Sequence, residues 1–213
     1  MKDDIQSIID FFNTSERLKF ESRGIWCSND EQENVAAHTW SLSLFLIIIN
    51  PYLELEMDLF KALKLSIIHD LPEALTGDIP FSKIVKDPGL LETKKSKEIG
   101  AIKSIADILP NALGKEIFDL WINYEKKTSI EASVVYALDK IEAQLQQLRS
   151  KVERWGDEDV ILAAWERMLD VSSFNQFLTK LSEFIIDASI NKIKNSNKEF
   201  RKCLSFHQMQ VSH

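Results

Sequence analysis

The chain is short of the residues that interrupt regular structure, with six glycines and five prolines in 213 residues. That scarcity leaves little room for the tight turns of an all-β fold and predicts a mostly helical one. Cysteine is nearly absent as well. Cys27 and Cys203 lie far apart in the sequence, and such a pair is no disulfide framework. No long hydrophobic run exists: the longest, Leu42 to Ile49 with Ser43 inside it, is far short of the ~20 residues that span a bilayer. The N-terminal stretch MKDDIQ is acidic and polar, unlike a secretory signal. These absences lead to the expectation of a reduced, cytoplasmic protein with no membrane partner. An excess of basic residues is missing too, since the formal net charge is -7. Counterion release from a basic face supplies much of the affinity for nucleic acid. A small substrate is therefore expected in place of a nucleic-acid polymer.

What the chain has is apolar content, at 45% enough for a sizeable core. Ile5, Ile8, Ile9 and Phe12 recur at helical spacing and predict a first helix over 2–13. Residues 14–33 are polar and read as a loop or a short broken helix. From Asn34, the residues Val35, His38, Leu42, Phe45 and Ile49 step by three or four, and Asn50-Pro51 is expected to end that helix. Asp58 suits the N-cap of the next helix, which is apolar nearly all round up to His69-Asp70, as a central buried helix would be. Pro72 can open a short turn through Glu73 and Leu75 that ends at Gly77. A loop over 81–89 and helices near 90–109 and 111–125 follow. Val134, Leu138, Ile141, Leu145, Leu148 and Val152 mark a helix over 129–154, with Asp139 beside its core stripe. Further helices fit 157–170 and 174–194, and the polar tail over 195–213 is expected to fray. The fold class is all-α, a single compact domain over 1–194 with about eight to ten helices.

Histidine is scarce: His38, His69, His207 and His213 are all there are. The last two fall in the tail, where solvent is their expected partner. The first two sit in the most apolar helices, and His69 is followed directly by Asp70. Burying an unpaired carboxylate is costly, and a divalent cation would remove that cost. A lone histidine on an apolar face is more often an ordinary core residue, so this pattern alone leaves both readings open. The stretch IIHDLPEALTGDIP (67–80) adds Glu73 and Asp78, giving three carboxyls and an imidazole within ten residues. Such a cluster in an apolar setting has the makings of an acid–base site. Asp78 as a cap and Glu73 on a solvated face would be the plainer account, but it leaves Asp70 unexplained. Lys83, Lys86, Lys94, Lys95 and Lys97 read as a solvated face, and the five tryptophans read individually as core.

Three segments together, ENVAAHTW (33–40), IIHDLPEALTGD (67–78) and ALDKIEA (137–143), resemble the motifs of the HD-domain metal-dependent phosphohydrolases. Within that family the likeness is to the branch of 5′-deoxynucleotidases, and it runs from about Arg23 to Gln147. The resemblance implies an HD-domain helical bundle with its motif core over 23–147. It also implies that His38, His69, Asp70 and Asp139 bind one divalent transition-metal ion (Mn, Co, Fe, Ni or Zn), while Glu73 and Asp78 are the catalytic carboxyls. Two imidazoles with two carboxylates suit a first-row transition ion better than Ca²⁺ or Mg²⁺. Members holding more metals recruit extra histidines after the His-Asp pair, and here none lies between 70 and 206.

Arg23 stands where those enzymes carry a substrate-binding arginine, and a guanidinium fork suits a phosphate. The tryptophan that follows it in the family is replaced by Gly24, so Trp26 is the candidate for the sugar contact. Ala37 also departs from the acidic residue common before the first histidine. The implied reaction releases phosphate from a small nucleotide, foremost a deoxyribonucleoside 5′-monophosphate, in a protein that by family resemblance forms a homodimer. Two other readings stay open: an HD hydrolase of another nucleotide, such as a dNTP triphosphohydrolase, and a metal-stabilised helical binding module without catalysis.

Overall fold

Eleven α-helices and one hairpin make up the computed structural model, which describes residues 2–210 and side chains as far as Phe206. The helices are α1 (Lys2–Ser15), α2 (Val35–Leu53), α3 (Leu59–Ile68), α4 (Glu73–Thr76), α5 (Phe81–Lys86), α6 (Gly89–Ala106), α7 (Asn111–Lys126), α8 (Ile130–Arg149), α9 (Glu158–Ser172), α10 (Gln176–Lys194) and α11 (Arg201–Gln210). The all-α expectation holds. Helices α5 and α11 lie where a loop and a tail were expected.

Caps fix several of the helix starts. Asn34 accepts a hydrogen bond from the Ala37 amide at the head of α2, Asp58 does so from Lys61 for α3, and Ser129 from Ala132 for α8. Helix α8 is the axle of the bundle. Its Val134, Leu138 and Ile141 are fully buried among α2, α3, α9 and α10, which all pack against it. A smaller cluster around Ile68, Leu71, Ile102, Ile105 and Trp121 joins α3, α6 and α7 on the other side of the His69 turn.

Several local expectations are corrected. Residues 14–33 hold a 3-10 turn (Glu16–Lys19) and an antiparallel pair, β1 (Ser22–Trp26) and β2 (Gln32–Asn34), which pairs Ser22 with Asn34 and Trp26 with Gln32. A hairpin this short is fixed by contacts distant in sequence, because Val35 donates to the Glu21 carbonyl and Gln146 to the Trp26 carbonyl. Pro51 does not end α2. It sits in the last turn, where its missing N–H removes a single bond, and the helix runs to Leu53. The polar tail from residue 195 is not frayed throughout, since Phe200, Cys203 and Phe206 are buried in the same core as α8 and α10. Those three residues recur at helical spacing, but Arg201 and Lys202 between them mask the pattern. The side chains of His207 and His213 lie outside those described.

Two apolar faces are open to solvent. Ile5, Ile8, Ile9 and Phe12 of α1 are exposed, although their spacing reads as a core stripe. Helix α3 is not buried all round: Ala62 and Leu65 face inward while Phe60 and Ile67 are exposed. Beside it α2 buries Val35, His38, Leu42, Leu46, Ile49 and Leu53 and exposes Trp40, Leu44, Ile47, Ile48 and Tyr52. By length and hydropathy alone α2 could cross a membrane, yet its inner face is part of the bundle. Trp40 is thus surface, whereas Trp121, Trp155 and Trp165 are core as expected.

Candidate active site

The site lies where three helix segments converge. His38 comes from the second turn of α2, His69 and Asp70 from the C-terminal end of α3, and Asp139 from the middle of α8. One ligand atom each of His38, His69 and Asp139 lies within 4.8 Å of the others, and all three residues are buried. Asp70 Oδ2 completes the group, 3.0 Å from His69 Nε2 and 3.9 Å from His38 Nε2.

The donor chemistry fits a cation. His69 Nδ1 donates to the Ser66 carbonyl at 2.8 Å, and His38 Nδ1 lies 2.7 Å from Glu142 Oε2. A carboxylate and a carbonyl on the Nδ1 side leave each Nε2 to act as a ligand. Both Nε2 atoms are buried and make no hydrogen bond. Asp139 is similarly arranged: its Oδ2 takes the Tyr124 hydroxyl at 2.7 Å and the Lys140 ammonium, leaving Oδ1 facing His38 at 3.2 Å. Orphaned buried nitrogens set against carboxylates are the pattern that a transition metal resolves.

Glu73 and Asp78 are brought to the same cleft by α4 and the turn after it. Gly77 sits at φ +73°, a conformation that favours glycine, and a side chain there would also meet Glu21. Glu21 Oε1 in turn accepts the Asp78 amide at 2.9 Å, which fixes the bend. One oxygen of Glu73 accepts from Lys94 Nζ at 2.8 Å, and the other, Oε2, is buried without a partner. Lys94 also reaches Glu98. It is therefore a site residue, not part of the solvated lysine face that its neighbourhood suggests.

The carboxyls divide into two classes. Burial pushes Asp70 up, but the His69 and His38 imidazoles outweigh it and hold the group below the ordinary range. Asp139 is likewise held well down, with Lys140 and His38 overcoming burial. Glu73 goes the other way, raised to about 9 by burial and by the Asp70 and Asp78 charges against Lys94. Asp78 is also raised, by burial first, although Arg23 opposes it. Environments that drive neighbouring carboxyls apart in this manner separate charge-holding groups from proton-transferring ones.

Arg23 lines the same cleft from β1, with Nη1 bonded to the buried Glu33 at 2.9 Å. Trp26 lines it too, and the Arg154 guanidinium stacks 4.1 Å from its ring centroid. A Cβ at position 24 would lie 3.1 Å from Pro80 Cβ, so the strand passes too close there for a bulky side chain. The whole cleft measures about 270 Å³. Glu33, Lys94, Tyr124 and Glu142 escape a reading of the sequence, because each acts through a partner at least ten residues away. Two of them left a trace, Glu33 as the first residue of the ENVAAHTW segment and Glu142 three residues after Asp139 in the ALDKIEA segment.

Comparison with known proteins identifies the family. The HD domain family matches residues 15–171. The 5′-deoxynucleotidase HDDC2 of Dictyostelium discoideum is 34% identical over 151 residues, covering 67% of this chain and 76% of that protein. Its human counterpart, also named 5′-deoxynucleotidase HDDC2, is 33% identical over 144 residues, covering 66% and 67%. Among solved structures, a predicted metal-dependent phosphohydrolase from Magnetospirillum magnetotacticum MS-1 superposes with a TM-score of 0.74 at 18% identity, over 89% of this chain and 97% of that one. That last likeness bears on the fold alone. With the matched segment running from before Arg23 to beyond α8 and carrying every motif residue, this chain belongs to the HD domain family.

Proposed function

We propose that the protein is a metal-dependent phosphomonoester hydrolase that converts deoxyribonucleoside 5′-monophosphates to deoxynucleosides and phosphate. The observation that carries this reading is the pairing of orphaned imidazole nitrogens with two ionised carboxylates, beside two carboxyls whose affinity for protons is raised. The names of the relatives at about a third identity support the substrate class. His38, His69, Asp70 and Asp139 would hold one divalent transition ion, which on binding supplies Lewis-acid polarisation of the phosphoryl group. Arg23 binds the phosphate, its fork steadied by Glu33. Lys94 fixes one oxygen of Glu73, and the other carboxyl oxygen, which burial keeps protonated, gives its proton to the departing 5′-alkoxide. Asp78, whose carboxyl Arg23 draws back towards its ionised form, takes the proton of the attacking water. A bond from water oxygen to phosphorus forms as the ester bond breaks.

A phosphate-release assay with dAMP and dATP tests the reaction. Orthophosphate from dAMP is the expected product, and tripolyphosphate from dATP would replace this reading by a triphosphohydrolase.

Arg23→Lys is the cleaner probe of the phosphate contact, because Arg23→Ala would leave Glu33 buried and unpaired. Lysine keeps the charge and loses the fork. Metal content should stay unchanged while kcat/KM falls about tenfold, the lower range for one charge-assisted hydrogen bond. Unchanged kinetics would remove Arg23 from the substrate contacts.

Trp26 is expected to set the sugar preference from its place beside Arg154. The wild type should favour dAMP over AMP, and Trp26→Ala should narrow that ratio by about tenfold, in the range for adding one group to a pocket. A deoxy preference that survives removal of the indole would assign discrimination elsewhere.

The homodimer is part of the same proposal. The open apolar face of α2 and α3, centred on Ile47, Ile48 and Ile67, is the surface that supports it. Sedimentation velocity should give a dimer that Ile48→Asp converts to monomer.

A further inference from the structure

We propose that the far part of the cleft, between α8 and α9, is a nucleobase subsite, and that Gln144 is the side chain that reads the base; this rests on the nucleotidase reading above. Seven buried side-chain nitrogen or oxygen atoms among the described residues lack a hydrogen-bond partner. Three of them, on His38, His69 and Glu73, belong to the reaction centre. Of the other four, only Gln144 Oε1 is on a residue that lines the cleft. Gln144 Oε1 is buried without a hydrogen-bond partner, and the residue is only 7% exposed. Buried amides in folded proteins are nearly always bonded, so an unmet one beside a cleft marks a place for a ligand group.

Its position matches a base and not a phosphate. Gln144 follows Asp139 by five residues on one helix, a rise of about 7.5 Å. The Asp139 end holds the metal ligands and Arg23, so Gln144 stands roughly one sugar away from the scissile phosphate. The side chains around it change in kind over that distance. Ala143 on α8 and Val160 and Ala164 on α9 form small apolar walls, followed by Gln147 and Ser150. Small apolar flanks with a few polar groups, in a cleft also lined by the stacked Trp26 and Arg154, suit a heterocycle. No carboxyl from α8 or α9 beyond Asp139 lines this part of the cleft. A glutamine amide offers a donor and an acceptor side by side, and rotation about its terminal bond exchanges them. This is the group that pairs with the adjacent donor and acceptor of a base edge.

The test compares dAMP, dGMP, dCMP and dTMP with 2-deoxyribose 5-phosphate, which keeps the sugar and phosphate and lacks the base. Gln144→Leu keeps the side-chain bulk and removes both polar atoms. Metal content and melting temperature are measured beside the kinetics to show an intact fold. The wild type should use nucleotides at least tenfold better than the abasic ester in kcat/KM. The leucine variant should lose about fivefold to tenfold on nucleotides, mainly in KM and unequally among the four bases, the worth of a hydrogen bond between neutral partners. The loss on 2-deoxyribose 5-phosphate should be less than twofold. An equal loss on both kinds of substrate would place Gln144 at the sugar or in the fold, and overturn the proposal. So would an unaffected variant, or a wild type indifferent to the base while hydrolysing every ester. A wild type that hydrolyses none of the five esters would instead sink the nucleotidase reading, and the subsite with it.

Discussion

His69→Ala and Asp70→Ala should each yield a protein without stoichiometric metal and without measurable phosphatase activity. Several kcal/mol of transition-state stabilisation come from a bound cation, and each 1.36 kcal/mol is a factor of ten, so a loss of at least about a thousandfold is expected. The fold should survive the His69 change, because Trp121 Nε1 donates to the backbone carbonyl of residue 69 and does not depend on the imidazole. Stability should nonetheless fall. The wild type gains RT ln(1 + [metal]/Kd) from a ligand that binds only the folded state. The variants should therefore melt near the temperature of chelated wild type, below that of the loaded protein. Metal analysis decides the matter: either variant purified with one equivalent of metal would remove that residue from the ligand set.

Glu73→Gln carries the second large effect, and it separates chemistry from metal binding. Metal content should match the wild type while kcat falls by about 10²–10⁴, the usual worth of a positioned proton-transfer group. Stability should move in the opposite direction. The Glu73 carboxyl is raised from its ordinary 4.5 to about 9 in the folded protein, first by burial. A raised group contributes stability that is fully present below the unfolded value and is lost as pH rises through the folded one. In chelated protein, Glu73→Gln should therefore melt higher than wild type, with a gap that widens between pH 5 and pH 9. Melting curves at three pH values across that window check this, and a gap independent of pH would show that Glu73 is not held protonated.

The parts of this site legible in the sequence share one property: their signal is local. His38 stands out because it interrupts an apolar stripe at helical spacing, and Asp70 because a carboxylate at the end of an apolar helix requires a partner. Glu73, Gly77 and Asp78 form a turn whose chemistry is written in consecutive residues. What was not legible depends on distant pairing. Lys94 sits in a lysine-rich helix and differs from Lys95 and Lys97 only in facing Glu73 and Glu98. Glu33 and Glu142 look like surface acids until the fold sets them against Arg23 and His38. The hairpin at 22–34 is held by bonds from α2 and α8, and no periodicity announces it. The stripe of α1 gave the helix correctly but not its surroundings, since spacing tells which residues share a face and not what covers it.

The pair of carboxylates around His38 has a consequence for how the cation enters. Burial and the Arg23 charge work against an imidazolium there, yet Asp139 and Glu142 outweigh them and raise His38 to about 9. At neutral pH the unloaded protein thus keeps a proton where the metal would sit, a small cation standing in for a larger one. Loading would then be an exchange, with a proton leaving His38 as an ion arrived. Apparent metal affinity should therefore rise with alkalinity and fall on acidification, which metal titrations at several pH values would check. The same proton would keep the unloaded core from confronting bare carboxylates, in place of a charged void at its centre.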